Sequence, residues 1–212
     1  TIGKSAFYNI SSLTYIAIPS SVTSICENAF YDCKSLKHIL FVTPSALSSI
    51  GYGAFRDCSS LKQIIIPCSV TKIDKYAFNR CLSLTQIEIP SSINCIEEGT
   101  FQMCKSLTHI AIPSSVNRID YGAFFECTSL EEISIPSSVT EICNSFMHMC
   151  SSLTQISIPS SVKSIGDYFL SYCSSLTKLF IPSSVTKIGN SFCYECSSLV
   201  QISIPSSVKK IG

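Results

Sequence analysis

The chain has no tryptophan, only three histidines and eight glycines in 212 residues, and only 14% of its residues are charged. Each shortage removes a class of protein. So little charge beside 46% apolar residues excludes a disordered chain, which needs low hydrophobicity and high net charge. A formal net charge of +1 supplies no basic stripe for a phosphate backbone, so no nucleic acid is expected as a partner. No apolar run approaches the roughly 18 residues needed to span a bilayer, and no basic cluster flanks one, so no membrane insertion is expected. The few glycines do not form a phosphate-cradling loop. His38 and His109 share one strand position of the repeat described below but stand three coils apart, about 14 Å, and His148 lies in its turn segment; they complete no nucleophile, base or metal constellation, which predicts a non-enzymatic protein without cofactor or metal. No secretory leader is visible, and the opening at Thr1 rather than Met is expected of a fragment or processed product.

What the chain does have is a repeat. Leucine recurs at Leu13, Leu36, Leu61, Leu84, Leu107, Leu130, Leu153, Leu176 and Leu199, in steps of 23 residues except for 25 between Leu36 and Leu61. A short fixed period predicts a solenoid, whose coils cannot bury their apolar faces alone and must stack. The whole of 1–212 is expected to be one solenoid domain of about nine coils. It shows no polar cap at either end, so the period is expected to continue beyond both.

Within a coil, Leu-x-x-Ile-x-Ile alternates like a short strand with its apolar side chains inward. Proline follows in nearly every coil and ends the backbone ladder, and Ser-Ser supplies turn chemistry. Val-x-x-Ile predicts a short second strand. Ala-Phe-x-x-Cys has the i, i+3 spacing of one α- or 3-10 turn. Ser12 and its equivalents up to Ser198 precede every head leucine and are expected to close each coil by hydrogen bonding. Gly3, Gly51, Gly166, Gly189 and Gly212 share one slot, which a positive φ would explain, although Cys26, Asp74, Glu97, Asp120 and Cys143 also occupy it. Ala-Phe pairs of the early coils become Phe146-Met147, Phe169-Leu170 and Phe192-Cys193, which roughly conserves core volume. Val42-Thr43 is the two-residue insertion and predicts a bulge or longer turn.

The 13 cysteines do not read as a disulfide framework. Cys33, Cys58, Cys81, Cys104, Cys127, Cys150, Cys173 and Cys196 form one rung, where the first coil has Ile10. Exchange with Ile predicts buried free thiols, although coils about 5 Å apart could also be bridged. Cys193-x-x-Cys196 lacks a second pair or a nearby histidine, so packing is favoured over redox or zinc chemistry. Asp74, Glu97 and Asp120 stack in successive coils. A calcium site and a solvated edge offset by Lys72, Lys75 and Arg118 are both open, and the second is favoured.

Variety is concentrated on the outward strand positions. One column reads Tyr15, His38, Gln63, Gln86, His109, Glu132, Gln155, Lys178 and Gln201. The next includes Leu40, Ile65, Glu88 and Phe180, among Ala17, Ala111, Ser134, Ser157 and Ser203. Apolar spots in a mixed polar surround suit a protein-contact face, while Gln and Thr equally suit a plain solvated sheet. The column Thr14, Lys37, Lys62, Thr85, Thr108, Glu131 is too broken for an ice-binding comb.

Phe55-x-x-Cys58-Ser-Ser-Leu61-x-x-Ile64-x-Ile66-Pro67, and the equivalent residues in every coil, resemble the BspA-like, or Treponema-pallidum-type, class of leucine-rich repeats. The resemblance implies a right-handed, curved leucine-rich repeat solenoid with a parallel sheet on its concave face. With the repeat reading it gives short second strands and helical or 3-10 turns elsewhere. It further implies a cell-surface or secreted adhesion module that binds host cell or matrix proteins such as fibronectin, with a cytoplasmic interaction scaffold as the alternative. It carries no catalytic residue.

Overall fold

The computed structural model describes all residues, Thr1–Gly212. Each coil contributes one longer strand, where Ile-x-Ile alternates, and one two-residue strand, where Val-x-x-Ile turns a corner. The first coils give β1 (Tyr15–Ile18), β2 (Ser24–Ile25), β3 (His38–Phe41), β4 (Ser49–Ile50), β5 (Gln63–Ile65) and β6 (Lys72–Ile73). The middle coils give β7 (Gln86–Glu88), β8 (Cys95–Ile96), β9 (His109–Ala111), β10 (Arg118–Ile119), β11 (Glu132–Ser134) and β12 (Glu141–Ile142). The last give β13 (Gln155–Ser157), β14 (Ser164–Ile165), β15 (Lys178–Phe180), β16 (Lys187–Ile188), β17 (Gln201–Ser203) and β18 (Lys210–Ile211).

Every pairing is parallel and joins equivalent residues of successive coils, such as Gln63 with Gln86 and Gln86 with His109. That register is fixed because a slip of one residue would turn the isoleucines out to solvent. The odd-numbered strands form one row, hydrogen-bonded as β1–β3, β5–β7–β9, β11–β13 and β15–β17. The even-numbered strands form the second row. One apolar cluster of 56 buried residues runs between them. The chain thus folds as an all-β, right-handed solenoid.

It contains no helix, and this overturns the helical or 3-10 turns that the Ala-Phe-x-x-Cys spacing suggested. The reason lies in the backbone. Each coil holds two residues at positive φ, four apart, such as Asn28 and Asp32 (φ 53 and 60) or Tyr76 and Arg80 (φ 57 and 59). Left-handed residues interrupt a right-handed helix and make consecutive tight turns instead. Peptide N–H groups then divide their bonds. Ala29 and Tyr31 donate three residues back, to Cys26 and Asn28, while Asn28, Phe30 and Asp32 donate forward to Tyr52, Ala54 and Arg56 of the next coil. A helix would have used all of these donors locally; here alternate ones stitch the coils.

The shared glycine slot also has a different cause from a positive φ. Gly51, Gly166 and Gly189 keep ordinary φ, but a Cβ on them would lie 2.9 Å from Cys26 C, 2.6 Å from Asn144 N and 2.5 Å from Asp167 N. The backbone of the preceding coil passes where a side chain would be. Positive φ belongs to another set, Gly53, Gly99 and Gly122.

Two hydroxyl and thiol ladders complete the stack. The second serine of Pro-Ser-Ser donates its hydroxyl to the preceding coil, as Ser115 Oγ does to the Ile93 carbonyl at 2.7 Å and Ser184 Oγ to that of Val162 at 2.7 Å. The serine before each head leucine makes no such side-chain bond; in four coils the residue before it does, with Ser59, Thr128, Ser151 and Ser174 each donating to the preceding coil, as Ser151 Oγ to Thr128 O at 3.4 Å. Inside, each rung thiol donates to the carbonyl of the preceding coil's turn, from Cys33 to Phe7 at 3.0 Å to Cys196 to Leu170 at 3.1 Å. All 13 cysteines are thiols. Burial pushes the Cys104 thiol up to about 12.

Beside that ladder Phe7, Phe30, Phe55, Phe78, Phe101 and Phe124 stack at 5.0–5.8 Å. Where the aromatic changes slot, Phe124 and Phe146 meet edge-on (83°, 5.6 Å), and stacking resumes from Phe146 to Phe169. One turned ring carries the row across the sequence change.

Candidate functional site

The alternation that points isoleucines inward points the intervening side chains of the odd-numbered strands outward. Tyr15, His38, Gln63, Gln86, His109, Glu132, Gln155, Lys178 and Gln201 are all exposed in one column, and Leu40, Ile65, Glu88 and Phe180 in the next. Tyr15 pairs in register with His38, Glu132 with Gln155, and Lys178 with Gln201. Polar neighbours are lightly tied, with Gln155 Nε2 donating to Glu132 Oε2 at 3.0 Å and Gln86 Nε2 to Gln63 Oε1 at 3.4 Å. The apolar members are strongly exposed: Leu40 by 51%, Ile65 by 76% and Phe180 by 57%. Leu40 and Ile65 flank the break in pairing between β3 and β5, next to the bend at Thr43-Pro44 that holds the insertion.

An open trough runs along the same face. His109, Glu132, Ser134, Gln155 and Ser157 line its first part, and Gln155, Ser157, Lys178 and Phe180 its second. It crosses the two other breaks in the ladder, β9 to β11 and β13 to β15. No sequence pattern marks this trough, because it depends on how far neighbouring strands separate.

Elsewhere the side chains neutralise one another. Lys72 Nζ lies 2.9 Å from Asp74 and Lys75 Nζ 3.1 Å from Glu98. Burial raises the Asp74 carboxyl, but the bonds from Lys72 and the Lys75 N–H outweigh it and hold the group below its usual range. Cys95, Glu97 and Asp120 bring their ligand atoms within 4.8 Å of one another, a cluster the sequence stack only partly indicated. The Arg118 guanidinium already fills it, donating to Cys95 Sγ at 3.2 Å and lying 3.1 Å from Asp120 and 3.4 Å from Glu97. An internal cation therefore stands where a calcium ion would have to enter.

The remaining chemistry-bearing groups do not converge. His38 and His109 are on the strand face. His148 stacks on Phe125 at 5.1 Å and meets the edges of Tyr168 and Tyr172, and burial lowers its pKa. Cys196 of the C-x-x-C pair bonds to a carbonyl like every other rung member. No helix is long and apolar enough to cross a membrane.

Comparison with known proteins fits this geometry. A family model described as a BspA type leucine-rich repeat region matches residues 1–124 and 96–212. A leucine-rich cell-surface protein of Faecalibacterium prausnitzii is similar at 31% identity and a TM-score of 0.72, over 92% of this chain and 62% of its own. The chain therefore spans less than two thirds of that relative's length. The leucine-rich repeat protein of T. pallidum is similar at 29% identity and a TM-score of 0.72, over 77% of this chain and 78% of its own. A leucine-rich repeat protein of Eubacterium ventriosum gives 26% and 0.58, over 98% and 71%. No curated protein matches significantly.

Proposed function

The chain belongs to the BspA-type leucine-rich repeat family, and from that premise we propose that it is a recognition module of a cell-surface protein that binds a host cell or extracellular matrix protein through its odd-numbered strand face. As a member of this family it is a non-enzymatic protein-interaction module. The observation that carries the choice of face is the exposure of Leu40, Ile65 and Phe180 amid a mixed polar and charged surround that includes Glu88 and Lys178. Large apolar groups left in water on an otherwise well-buried scaffold are what a partner would desolvate, with the polar rim supplying specificity. The cell-surface relative from F. prausnitzii supports the surface setting by likeness.

Immobilised fibronectin, titrated with wild type and with Leu40→Glu, Ile65→Glu and Phe180→Glu, tests the face. Wild type should bind, and at least one substitution should weaken binding by about tenfold or more, as expected of a central anchor. Binding that survives all three unchanged would remove this face from consideration.

A further inference from the structure

The even-numbered strands carry a second, differently charged surface. Two outward residues separate the inward Val and Ile of each coil, and in the last three coils they are Lys163-Ser164, Thr186-Lys187 and Lys209-Lys210. Backbone bonds place them in two rows. Thr186 N–H donates to Lys163 O and Lys209 N–H to Thr186 O, each at 2.9 Å, while Ser164, Lys187 and Lys210 pair in register along β14, β16 and β18. Successive coils lie about 4.8 Å apart, so four ammonium groups are anchored within about 10 Å along the solenoid.

These four lysines are exposed and none forms an ion pair, whereas Lys72 and Arg118 at equivalent positions of the same strand row do. The cause is the neighbouring slot. Asp74, Glu97 and Asp120 stand there in the middle coils, and Gly166, Gly189 and Gly212 in the last three. The two acids bordering the patch leave the lysines free: Glu141 is at its near edge, and the Asp167 carboxylate accepts the Asn190 N–H at 2.7 Å. Hydroxyls of Ser164 and Thr186 lie between the charges. No aromatic side chain belongs to either row, so nothing offers a base a stacking surface.

We propose that the β14–β16–β18 ladder binds a linear sulfated polysaccharide, with Lys163, Lys187, Lys209 and Lys210 holding successive sulfate or carboxylate groups and Ser164 and Thr186 bonding sugar hydroxyls. Unpaired ammonium groups as point charges on a hydroxyl-rich, aromatic-free strip match that chemistry. This surface is separate from the strand face proposed above, and the two are tested independently.

Heparin is the probe, with unsulfated heparosan and a DNA duplex of similar length as comparators, at 50 and 200 mM salt. Heparin should bind at low salt and weaken steeply at high salt, because each lysine contact releases counterions. Lys187→Gln/Lys210→Gln should lower heparin affinity by about tenfold or more, and Lys34→Gln/Lys62→Gln on other faces should leave it unchanged. No heparin binding at 50 mM salt, or equal loss in both double variants, overturns the proposal. DNA bound as tightly as heparin overturns the assignment to polysaccharide.

Discussion

A rung cysteine and its neighbouring phenylalanine explain why single residues are so constrained along this chain. The thiol fills an apolar slot and donates to a carbonyl of the preceding coil that also accepts a backbone N–H, so Val or Ile would fill the space but remove the bond that joins the two coils there. The sequence exposes only the packing half of that role, because Ile10 in the first coil makes the rung look purely apolar. The rings are legible in full: Phe169 is completely buried and stacks on Phe146 and Phe192 at 5.8 and 6.0 Å. Phe169→Ala should cost about 3–5 kcal/mol in urea unfolding, the usual figure for a buried ring. A loss below about 1 kcal/mol would mean that the turn segment collapses around the gap at little cost.

Among the elements, strands are more legible in the sequence than turns. Ile-x-Ile alternation and Val-x-x-Ile both yield the strands they suggest, since burial on one side fixes the period. Ala-Phe-x-x-Cys fails because i, i+3 spacing is shared by a helical turn and by consecutive tight turns, and side-chain periodicity is blind to φ. Glycine illustrates the same point. Gly122 has φ 57, equivalent to Asn28 at 53, and Asn tolerates that conformation. Gly122→Asn should therefore change the unfolding midpoint little. Gly189→Ala should cost about 1–3 kcal/mol despite an ordinary φ, since its Cβ would meet Asp167 N and Gly166 C at 2.5 Å. Thermal melts of the pair check this; the opposite ranking would restore φ as the reason for the Gly189 slot.

At the scale of the whole molecule, one column of buried groups couples stability to alkali. Burial raises the thiols of Cys58, Cys81, Cys104, Cys127, Cys150 and Cys173, Cys104 to about 12. A raised value in the fold means that the stabilisation is complete below the ordinary thiol range near 9. It is lost as pH climbs through the folded value, because only the unfolded chain ionises in between. Each thiol steepens the decline by up to about 1.4 kcal/mol per pH unit above 9. Urea midpoints at pH 7, 9 and 10 should fall less steeply for Cys104→Ala than for wild type, whatever their offset at pH 7; parallel declines would show that this thiol ionises freely in the fold. The outward columns were equally legible as positions, since alternation alone places Tyr15 through Gln201. The trough and the basic ladder were not, because each depends on strand separation or on which acids are already paired.

The alternate forward-donating peptide bonds of the turns have a mechanical consequence. They join each coil only to its neighbours, so a pull on the two ends loads them one coil at a time rather than in parallel. Under tension the molecule should pay out in nearly equal lengths, each a released repeat of 23 residues and about 80 Å of extended chain, except the 25-residue coil between Leu36 and Leu61. It would lengthen as a ratcheted tether does, in steps and without a single breaking point.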